Sequence, residues 1–431
     1  MVRIAVVGCL HGELEDMYAT IEHANTTILA PSSSSSSSPI ELILVCGDFQ
    51  SLRSEADFSS LHVPAKYKRL GDFSDYHQGT KTAPILTIFI GGNHEASNLL
   101  SEHYLGGYIA HNIYYMGHEG VVNFKGYRIG GVSGIYNYHD YKKARYERLP
   151  YNEDDIRSVY HIREIDTYRL LLLDSSQRDM DIFLSHDWPQ RIWDYGLERG
   201  QQLLRIKPYF SSDMASGKLG SPPLRTILDH IQPTFWFAAH LHVKFAAVYP
   251  HSTTTSGSRD GKEVSVCRQG DSGGSSNSSS SGSKKVTRFL SLDKVLPGRD
   301  FLQILDIPCS SNSGSSSNNS NMLEYDAEWL AILKKTLPLQ CWERYPGNSN
   351  SNSTSLDMAS ASRNRCTAEE ITAARAAVAN VNNGTLVIPA TNSTAMLVSA
   401  LSSSTSSGGS SGGSGSGMTV FDTNAIDIDA D

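Results

Sequence analysis

The stretch ILTIFIGGNHE, residues 85–95, decides the fold class, because a short apolar, β-branched run ends there in glycines, an amide, an imidazole and a carboxylate. A run of this length and composition, bounded by polar residues, predicts a buried β-strand. Layered α/β folds gather their ligands at the carboxyl ends of such strands. The stretch therefore predicts a strand that carries a functional loop.

The same arrangement recurs along the first 250 residues, where similar runs occupy 3–7, 41–46, 128–131, 181–184 and 234–238. Each run ends in small and polar residues, and these clusters contain most of the side chains that could do chemistry. The clusters are Gly8-Cys9-Leu10-His11-Gly12, Gly47-Asp48, Gly92-Asn93-His94-Glu95, Ser185-His186-Asp187 and Ala239-His240-Leu241-His242. This pattern predicts an α/β fold in which the sheet is the scaffold and the loops form the site.

Together the clusters supply one thiol, a carboxylate, an amide oxygen and several imidazoles, which is the inventory needed to hold two divalent metals. Two such metals can activate a shared water and stabilise both sides of an in-line displacement at phosphorus. Each cluster alone has a simpler interpretation, since a His-x-His pair can be structural and Gly-Asp is a common turn. Five clusters in this order, each after a strand, favour a metal-dependent phosphoesterase.

Composition limits the other possibilities. The 431 residues contain 37 basic and 45 acidic side chains, a net charge of −8, so any contact with nucleic acid has to be a local patch. Six widely spaced cysteines are typical of reduced intracellular thiols rather than of a disulfide framework. No stretch approaches the roughly 18 apolar residues of a membrane span, and the N-terminal run is too short for a signal peptide, so we expect no membrane partner.

Serine-rich segments divide the chain into domains, because segments without apolar residues cannot form a core. We expect a catalytic domain over residues 1–250, interrupted by a serine insertion at 31–39. A disordered linker over 251–283 would follow it. A small carboxyl-terminal domain over 284–345 would dock on the first domain, and residues 346–431 would form a disordered tail with one weak alanine-rich helix.

In their order, the clusters resemble the motifs of the calcineurin-like metallophosphoesterases, with two departures: Cys9 stands where that superfamily has Asp, and Ala239 where it has Gly. Cysteine within Gly-Cys-x-His-Gly-Glu-Leu resembles one branch, the RNA lariat debranching enzymes. The resemblance continues through residues 46–50, 89–97, 181–189 and 236–247, and 289–306 with 323–333 resemble that family's carboxyl-terminal block. It implies a metallophosphoesterase-type central β-sandwich flanked by helices.

The resemblance also implies roles for individual side chains. One metal would be held by Cys9, His11, Asp48 and His242, and the other by Asp48, Asn93, His186 and His240, so that Asp48 bridges the two. A thiolate favours zinc or ferrous iron over magnesium, and the resemblance implies iron with zinc, or manganese. The alternative for Cys9 is a small buried residue after a strand.

His94 would be the general acid that protonates the leaving oxygen, a task for which imidazole suits neutral pH. The neighbouring Glu95 could orient His94 or could be an exposed carboxylate.

Residues 134–148 interleave four tyrosines with lysines and arginines. Aromatic rings stack unpaired bases and cations neutralise phosphates, so the segment favours contact with single-stranded or branched RNA. The alternative is a solvated helix with ordinary surface charges. The segment matches the insertion, here 133–163, that lariat debranching enzymes use to recognise the branch, and we expect contacts from Tyr136, His139 and Arg145.

The implied activity is hydrolysis of the 2′,5′-phosphodiester at the branch point of excised intron lariats, giving linear RNA during intron turnover after pre-mRNA splicing. Because pre-mRNA splicing takes place in the nucleus, this activity implies a nuclear location. The sequence identifies no protein partner. A protein or phosphomonoester phosphatase of the same superfamily would keep the metal residues but lack the tyrosine-rich insertion. A non-catalytic scaffold would keep the sheet and lose ligands.

Overall fold

The computed structural model describes residues 1–29, 38–251, 285–308, 321–340, 364–390 and 393–402, together with residues 356, 358 and 361. Within them thirteen strands form two mixed sheets. The strands are β1 (Val2–Val7), β2 (Leu42–Val45), β3 (Thr87–Phe89), β4 (Gly107–Ala110), β5 (Ile113–Tyr115), β6 (Glu119–Phe124), β7 (Tyr127–Val132), β8 (Ile182–Ser185), β9 (Phe235–Ala238), β10 (Phe245–Pro250), β11 (Val286–Ser291), β12 (Leu302–Ile307) and β13 (Leu323–Tyr325). One sheet has the order β12-β1-β2-β3-β5-β4 and the other β10-β11-β9-β8-β7-β6-β13.

Eleven α-helices of the described residues surround these sheets. They are α1 (Leu14–His23), α2 (Phe73–His77), α3 (Ser97–Glu102), α4 (Asp155–Ser158), α5 (Glu164–Leu171), α6 (Gln201–Ile206), α7 (Ser211–Ala215), α8 (Pro222–Ile231), α9 (Ala327–Thr336), α10 (Ala368–Val381) and α11 (Ser393–Ser402). In α8 the Ser221 hydroxyl accepts a hydrogen bond from the amide of Leu224. Because prolines fill the first helical positions, where an amide hydrogen has no intrahelical partner, this cap sets where the helix begins.

The side chains of β1 point alternately into two cores, which shows how the layers pack. Val2, Ile4 and Val6 belong to a core that includes residues of both sheets, such as Ile129 of β7, whereas Ala5 and Val7 pack in a second core with helix α1. Successive side chains of a strand point to opposite faces, so β1 is buried on both sides. The expected metallophosphoesterase-type sandwich with flanking helices is confirmed.

The carboxyl-terminal strands complete both sheets. Strand β12 pairs antiparallel with β1, β11 lies between β9 and β10, and β13 pairs with β6. The Arg128 side chain, 1% exposed, adds an ionic link, because its Nη2 donates to Asp326 Oδ1 at 2.8 Å and to Glu328 Oε2 at 2.7 Å. The expected docking on the first domain is confirmed, and it takes the form of shared sheets.

The alanine-rich helix expected in the tail is confirmed as α10 (Ala368–Val381), whereas the disorder expected for the rest of 346–431 is wrong for the other residues of 364–390 and for 393–402. Helix α10 begins with a capping box, in which Thr367 and Glu370 each bind the other's backbone amide. It packs against α9 and α11, with Ala374 and Val378 fully buried. The carboxyl-terminal domain therefore extends beyond residue 345. Hydrophobicity did not indicate this, because the residues that pack in the segment are small.

Several expectations lie outside the described residues, namely those for residues 31–37 of the serine insertion, for residues 252–283 of the linker, and for residues 346–355, 357, 359–360, 362–363, 391–392 and 403–431 of the tail. Among the described cysteines, Cys9, Cys46 and Cys366 form no disulfide. None of the described helices is long and apolar enough to cross a membrane.

Candidate metal centre

The polar clusters meet where the carboxyl ends of strands from both sheets come together. Cys9 and His11 follow β1, Asp48 follows β2, and Asn93 with His94 follow β3 of the six-stranded sheet. From the seven-stranded sheet, His186 directly follows β8, and His240 and His242 follow β9. Strands β1, β2 and β3 run parallel to one another, as do β8 and β9, so each set delivers its loops to the same edge.

The first expected metal set is close together. One ligand atom each from Cys9, His11, Asp48 and His242 lies within 4.8 Å of all the others. His11 Nε2 is 3.4 Å from His242 Nε2 and 3.6 Å from Asp48 Oδ2. A sulfur, a carboxylate oxygen and two imidazole nitrogens that face one small space fit a divalent cation.

The second expected set lies on the other side of the Asp48 carboxylate. His186 Nδ1 donates to the carbonyl oxygen of Cys46 at 2.7 Å, so in the neutral ring Nε2 carries no hydrogen; Nε2 lies 3.3 Å from Asp48 Oδ1 and 3.1 Å from Asn93 Oδ1. Metal-binding histidines commonly donate their other N–H to such a carbonyl. The His240 ring lies 4.9 Å from the His186 ring, between centroids. One oxygen of Asp48 thus faces each set.

The protonation states suit metal binding. Burial lowers the pKa of His11 and of His186 to about 4 and that of His242 to about 3, so these rings stay neutral, the form that coordinates a metal. Burial, and after it the Asp48 carboxylate, raises the pKa of the Cys9 thiol well above its usual value. A cation at the site would reverse that effect and hold the thiolate.

The backbone is strained at the same residues. Positive φ angles occur at His11 (52°), Asp48 (49°), His240 (61°) and His242 (48°). Residues other than glycine seldom adopt this left-handed conformation, and those that do cluster at functional sites, where the surrounding fold holds them in place. Four of the seven expected ligands are therefore positioned by backbone geometry that the packed strands impose.

Glycines allow the loops to approach each other closely. A Cβ atom on Gly92 would lie 2.2 Å from Asp48 Oδ1 and 2.4 Å from the Asp48 amide nitrogen. A Cβ atom on Gly47, whose φ is 103°, would lie 2.3 Å from His186 Nδ1. These contacts explain why glycine precedes both the aspartate and the Asn-His pair.

His94 differs from the expected ligands in its exposure, since 31% of its side chain is accessible. Its Nδ1 lies 3.2 Å from Asp48 Oδ2, and its backbone amide donates to Asp48 Oδ1 at 2.9 Å. Burial lowers the pKa of His94, but the hydrogen bond and charge of Asp48 outweigh it, so the pKa is raised. An accessible imidazole beside the Asp48 carboxylate suits a proton donor.

Glu95 is neither exposed nor bound to His94. It is 2% exposed, and its carboxylate accepts hydrogen bonds from the amides of Phe49 at 2.7 Å, Gln50 at 2.8 Å and Gly92 at 2.9 Å. It therefore ties the loop after β2 to the loop after β3. The sequence could not show this, because two of the partners are backbone groups some 45 residues away.

We expect Glu95→Ala to weaken metal binding by about 10- to 100-fold, as loss of a group that orients metal ligands does. Three buried amides would lose their acceptor, at about 1–3 kcal/mol each, so the melting temperature should fall as well. Competition with a chelator measures the affinity. Glu102→Gln, on an exposed carboxylate of α3, is the control, and equal metal affinity in Glu95→Ala and wild type would contradict this role.

The three residues of the tyrosine-rich segment that are expected to contact RNA differ in their exposure. Tyr136 is partly buried and His139 is exposed. Arg145 does not fit the expectation, because it is 7% exposed and donates to Asp166 Oδ2 at 2.5 Å and to the Val159 carbonyl oxygen at 3.3 Å. A basic residue in the sequence shows its charge but not its partner, and here the partner lies 21 residues further on.

The alternative of a solvated helix is also wrong, since residues 134–148 form turns and irregular structure without a helix. Tyr138 at their tip is 78% exposed.

Comparison with known proteins gives two family matches. Residues 2–244 match the model for calcineurin-like phosphoesterases, whose fold implies divalent metals, and residues 284–404 match the model for the C-terminal domain of lariat debranching enzymes. The chain is 46% identical over 335 residues to the lariat debranching enzyme of Gallus gallus, covering 78% of this chain and 54% of that protein. For the Homo sapiens enzyme the identity is 45% over 334 residues, covering 78% and 54%.

The Arabidopsis thaliana lariat debranching enzyme is 44% identical over 333 residues, which cover 77% of this chain and 68% of that protein. The chain thus spans between about half and two thirds of the length of these relatives.

Proposed function

The chain belongs to the lariat debranching enzymes, within the calcineurin-like phosphoesterases, and from this membership we propose that it hydrolyses the 2′,5′-phosphodiester at the branch point of lariat RNA. The bond from phosphorus to the 2′-oxygen breaks, water supplies the new oxygen, and the products are a linear RNA with a 5′-phosphate and a restored 2′-hydroxyl. One observation carries the proposal: the Asp48 carboxylate lies between two sets of metal-type ligands and beside an accessible imidazole.

We propose that two divalent metals occupy the centre. Cys9, His11, Asp48 and His242 would hold one, and Asp48, Asn93, His186 and His240 the other. Bound there, the metals would lower the pKa of coordinated water and neutralise charge on the phosphate. The Cys9 thiolate, a softer ligand than carboxylate, favours ferrous iron or zinc over magnesium at the first site, with manganese as the alternative.

His94 would protonate the departing 2′-oxygen. Because its Nδ1 lies against Asp48 Oδ2, the nitrogen left for the substrate is Nε2. The Asp48 carboxylate fixes the ring orientation, which lets the proton reach the oxygen without reorganisation of the side chain. The neutral imidazoles of the ligand sets would stay unprotonated through the reaction, since burial lowers their pKa values.

Branched RNA is the proposed substrate because the chain belongs to the lariat debranching enzymes and because the tyrosine-rich segment, with Tyr138 exposed at its tip, is joined to a loop of the centre. Its Gly134 amide donates to the carbonyl oxygen of Gly91 at 2.8 Å, two residues before Asn93. The substrate in turn supports a nuclear location as part of the proposal.

The test is cleavage of a synthetic branched RNA that carries both a 2′,5′ and a 3′,5′ linkage, with anaerobic ferrous iron plus zinc and separately with manganese. We expect loss of the 2′,5′ bond alone. Turnover of a generic phosphoester with neither RNA bond cleaved would keep the two-metal centre and exclude the proposed substrate.

A further inference from the structure

The loop that connects β11 to β12, residues 292–301, lies against the metal centre, although it belongs to the carboxyl-terminal domain. The Val295 amide donates to the carbonyl oxygen of Cys9 at 3.0 Å. The Leu292 amide donates to the carbonyl oxygen of Ala238, the last residue of β9, at 3.1 Å. The loop is therefore bonded to both sheets at the edge where their ligands meet.

Main-chain contacts fix the position of Lys294 within this loop. A Cβ atom on Gly8 would overlap the carbonyl oxygen of Asp293, so the two chain segments touch. The Asp293 carboxylate accepts a hydrogen bond from the Lys294 amide at 2.7 Å through Oδ1 and one from Arg299 Nη1 at 3.3 Å through Oδ2. None of these contacts uses the Lys294 side chain, which is partly buried.

The charge of Lys294 acts on three imidazoles of the centre. Burial lowers the pKa values of His11 and His242 most, and the positive charge of Lys294 lowers them further. At His94, where Asp48 outweighs burial and raises the pKa, the charge of Lys294 opposes the rise. The ammonium group thus lies within electrostatic reach of two expected ligands of the first metal set and of the proposed proton donor.

The carboxylates of the same loop are paired with other cations. Asp293 Oδ2 lies 3.3 Å from Arg299 Nη1, and Asp300 Oδ1 lies 3.4 Å from Lys244 Nζ. Within the described part of the chain, none of the ion pairs includes Lys294. A cation close to the centre without a carboxylate partner is available to bind an anion.

We propose that the Lys294 ammonium binds a non-bridging oxygen of the scissile phosphodiester, so that the carboxyl-terminal domain contributes a residue to the catalytic site. This inference rests on the proposed function. An ammonium group is a compact point charge with three donors, which suits a phosphate oxygen. Held in place by the loop, it would stabilise the negative charge on the reacting phosphate without reorganisation.

Lys294→Met tests the proposal, because it keeps the length of the side chain and removes the charge. A small p-nitrophenyl phosphodiester contains only the scissile phosphate, so we expect kcat/KM to fall by about 10- to 100-fold on this substrate and on branched RNA alike, as loss of a hydrogen bond to a charged group does. Lys294→Arg keeps the charge and should recover most of the loss. Elemental analysis should give the wild-type metal content for both variants, because Lys294 is not a ligand.

Lys285→Met is the matched control, because it removes the same charge at the other end of β11, where Lys285 forms an exposed ion pair with Asp179. Its activity should equal that of wild type. Wild-type turnover of the small phosphodiester by Lys294→Met, with or without a loss on RNA, would overturn the assignment to the scissile phosphate. Equal losses in Lys294→Met and Lys294→Arg, or loss of metal in both, would make the role structural and overturn it as well.

The same substrates separate this proposal from the proposed function. Wild type that turns over the small phosphodiester but cleaves neither RNA linkage would overturn the proposed function. A loss on the small phosphodiester in Lys294→Met alone would still support the contact between Lys294 and the scissile phosphate.

Discussion

The His94→Ala variant is expected to lose about 10²- to 10⁴-fold in kcat for the 2′,5′ linkage, the typical contribution of general acid catalysis, while it still binds both metals. The structure separates the two properties. His94 contacts the ligand Asp48 through Nδ1, whereas the hydrogen bond to Asp48 Oδ1 comes from the His94 backbone amide, which alanine retains. The ligand sets on either side of Asp48 should therefore remain in place.

A substrate whose leaving group needs no proton distinguishes the loss of a proton donor from other causes of low activity. A 2′-oxygen needs a proton to depart, but p-nitrophenolate does not, so the loss in His94→Ala should shrink greatly on a p-nitrophenyl phosphodiester. His23→Ala, at the exposed end of α1, is the control. Equal losses on both substrates with full metal content would contradict the proton-donor role, and a loss of metal would make His94 part of the metal centre.

Asp48→Asn is expected to abolish activity, by more than about 10³-fold, because it removes the charge shared by both metal sets. The side chain keeps its size, so packing around this fully buried position should be preserved. A metal that binds the folded state and not the unfolded state stabilises the fold, and wild type should therefore melt at a higher temperature when metal is added. In Asp48→Asn this increase should disappear.

The melting temperatures of metal-free wild type and metal-free Asp48→Asn provide a second comparison. Burial raises the pKa of Asp48, but the surrounding imidazoles of His186, His94 and His11 outweigh it and hold the pKa well below its usual range. Because a depressed carboxylate pKa means that the ionised Asp48 stabilises the folded state at neutral pH, the metal-free variant should melt at a lower temperature than metal-free wild type, and added metal should not raise it. Asp16→Asn, on the exposed face of α1, is the control. A metal-dependent rise in melting temperature that persists in Asp48→Asn would contradict the shared-ligand account.

The strands that carry the site could be predicted because each is short, apolar and followed by a change to small polar residues. Strand β3 and the loop with Asn93 illustrate this, since a buried parallel strand needs apolar residues on both faces and leaves its carboxyl end for function. The order of the clusters then indicated which side chains would meet. Their distances depend on backbone conformations, such as the positive φ of His240, that no pattern in the sequence reveals.

What could not be predicted depends on partners far apart in the chain. Arg145 looked like a cation for RNA, but Asp166 pairs with it inside the fold. Glu95 binds backbone amides, which leave no trace in residue identity. The helices α10 and α11 bury small side chains against α9, a packing that hydrophobicity alone does not signal.

The central claim is that two ligand sets share Asp48, and the metal content of the active protein tests it most directly. Elemental analysis after anaerobic loading with ferrous iron and zinc, followed by removal of free metal, should give about two ions per chain in the fraction that cleaves the 2′,5′ bond. Full cleavage by protein that holds one ion per chain, or none, would contradict the account.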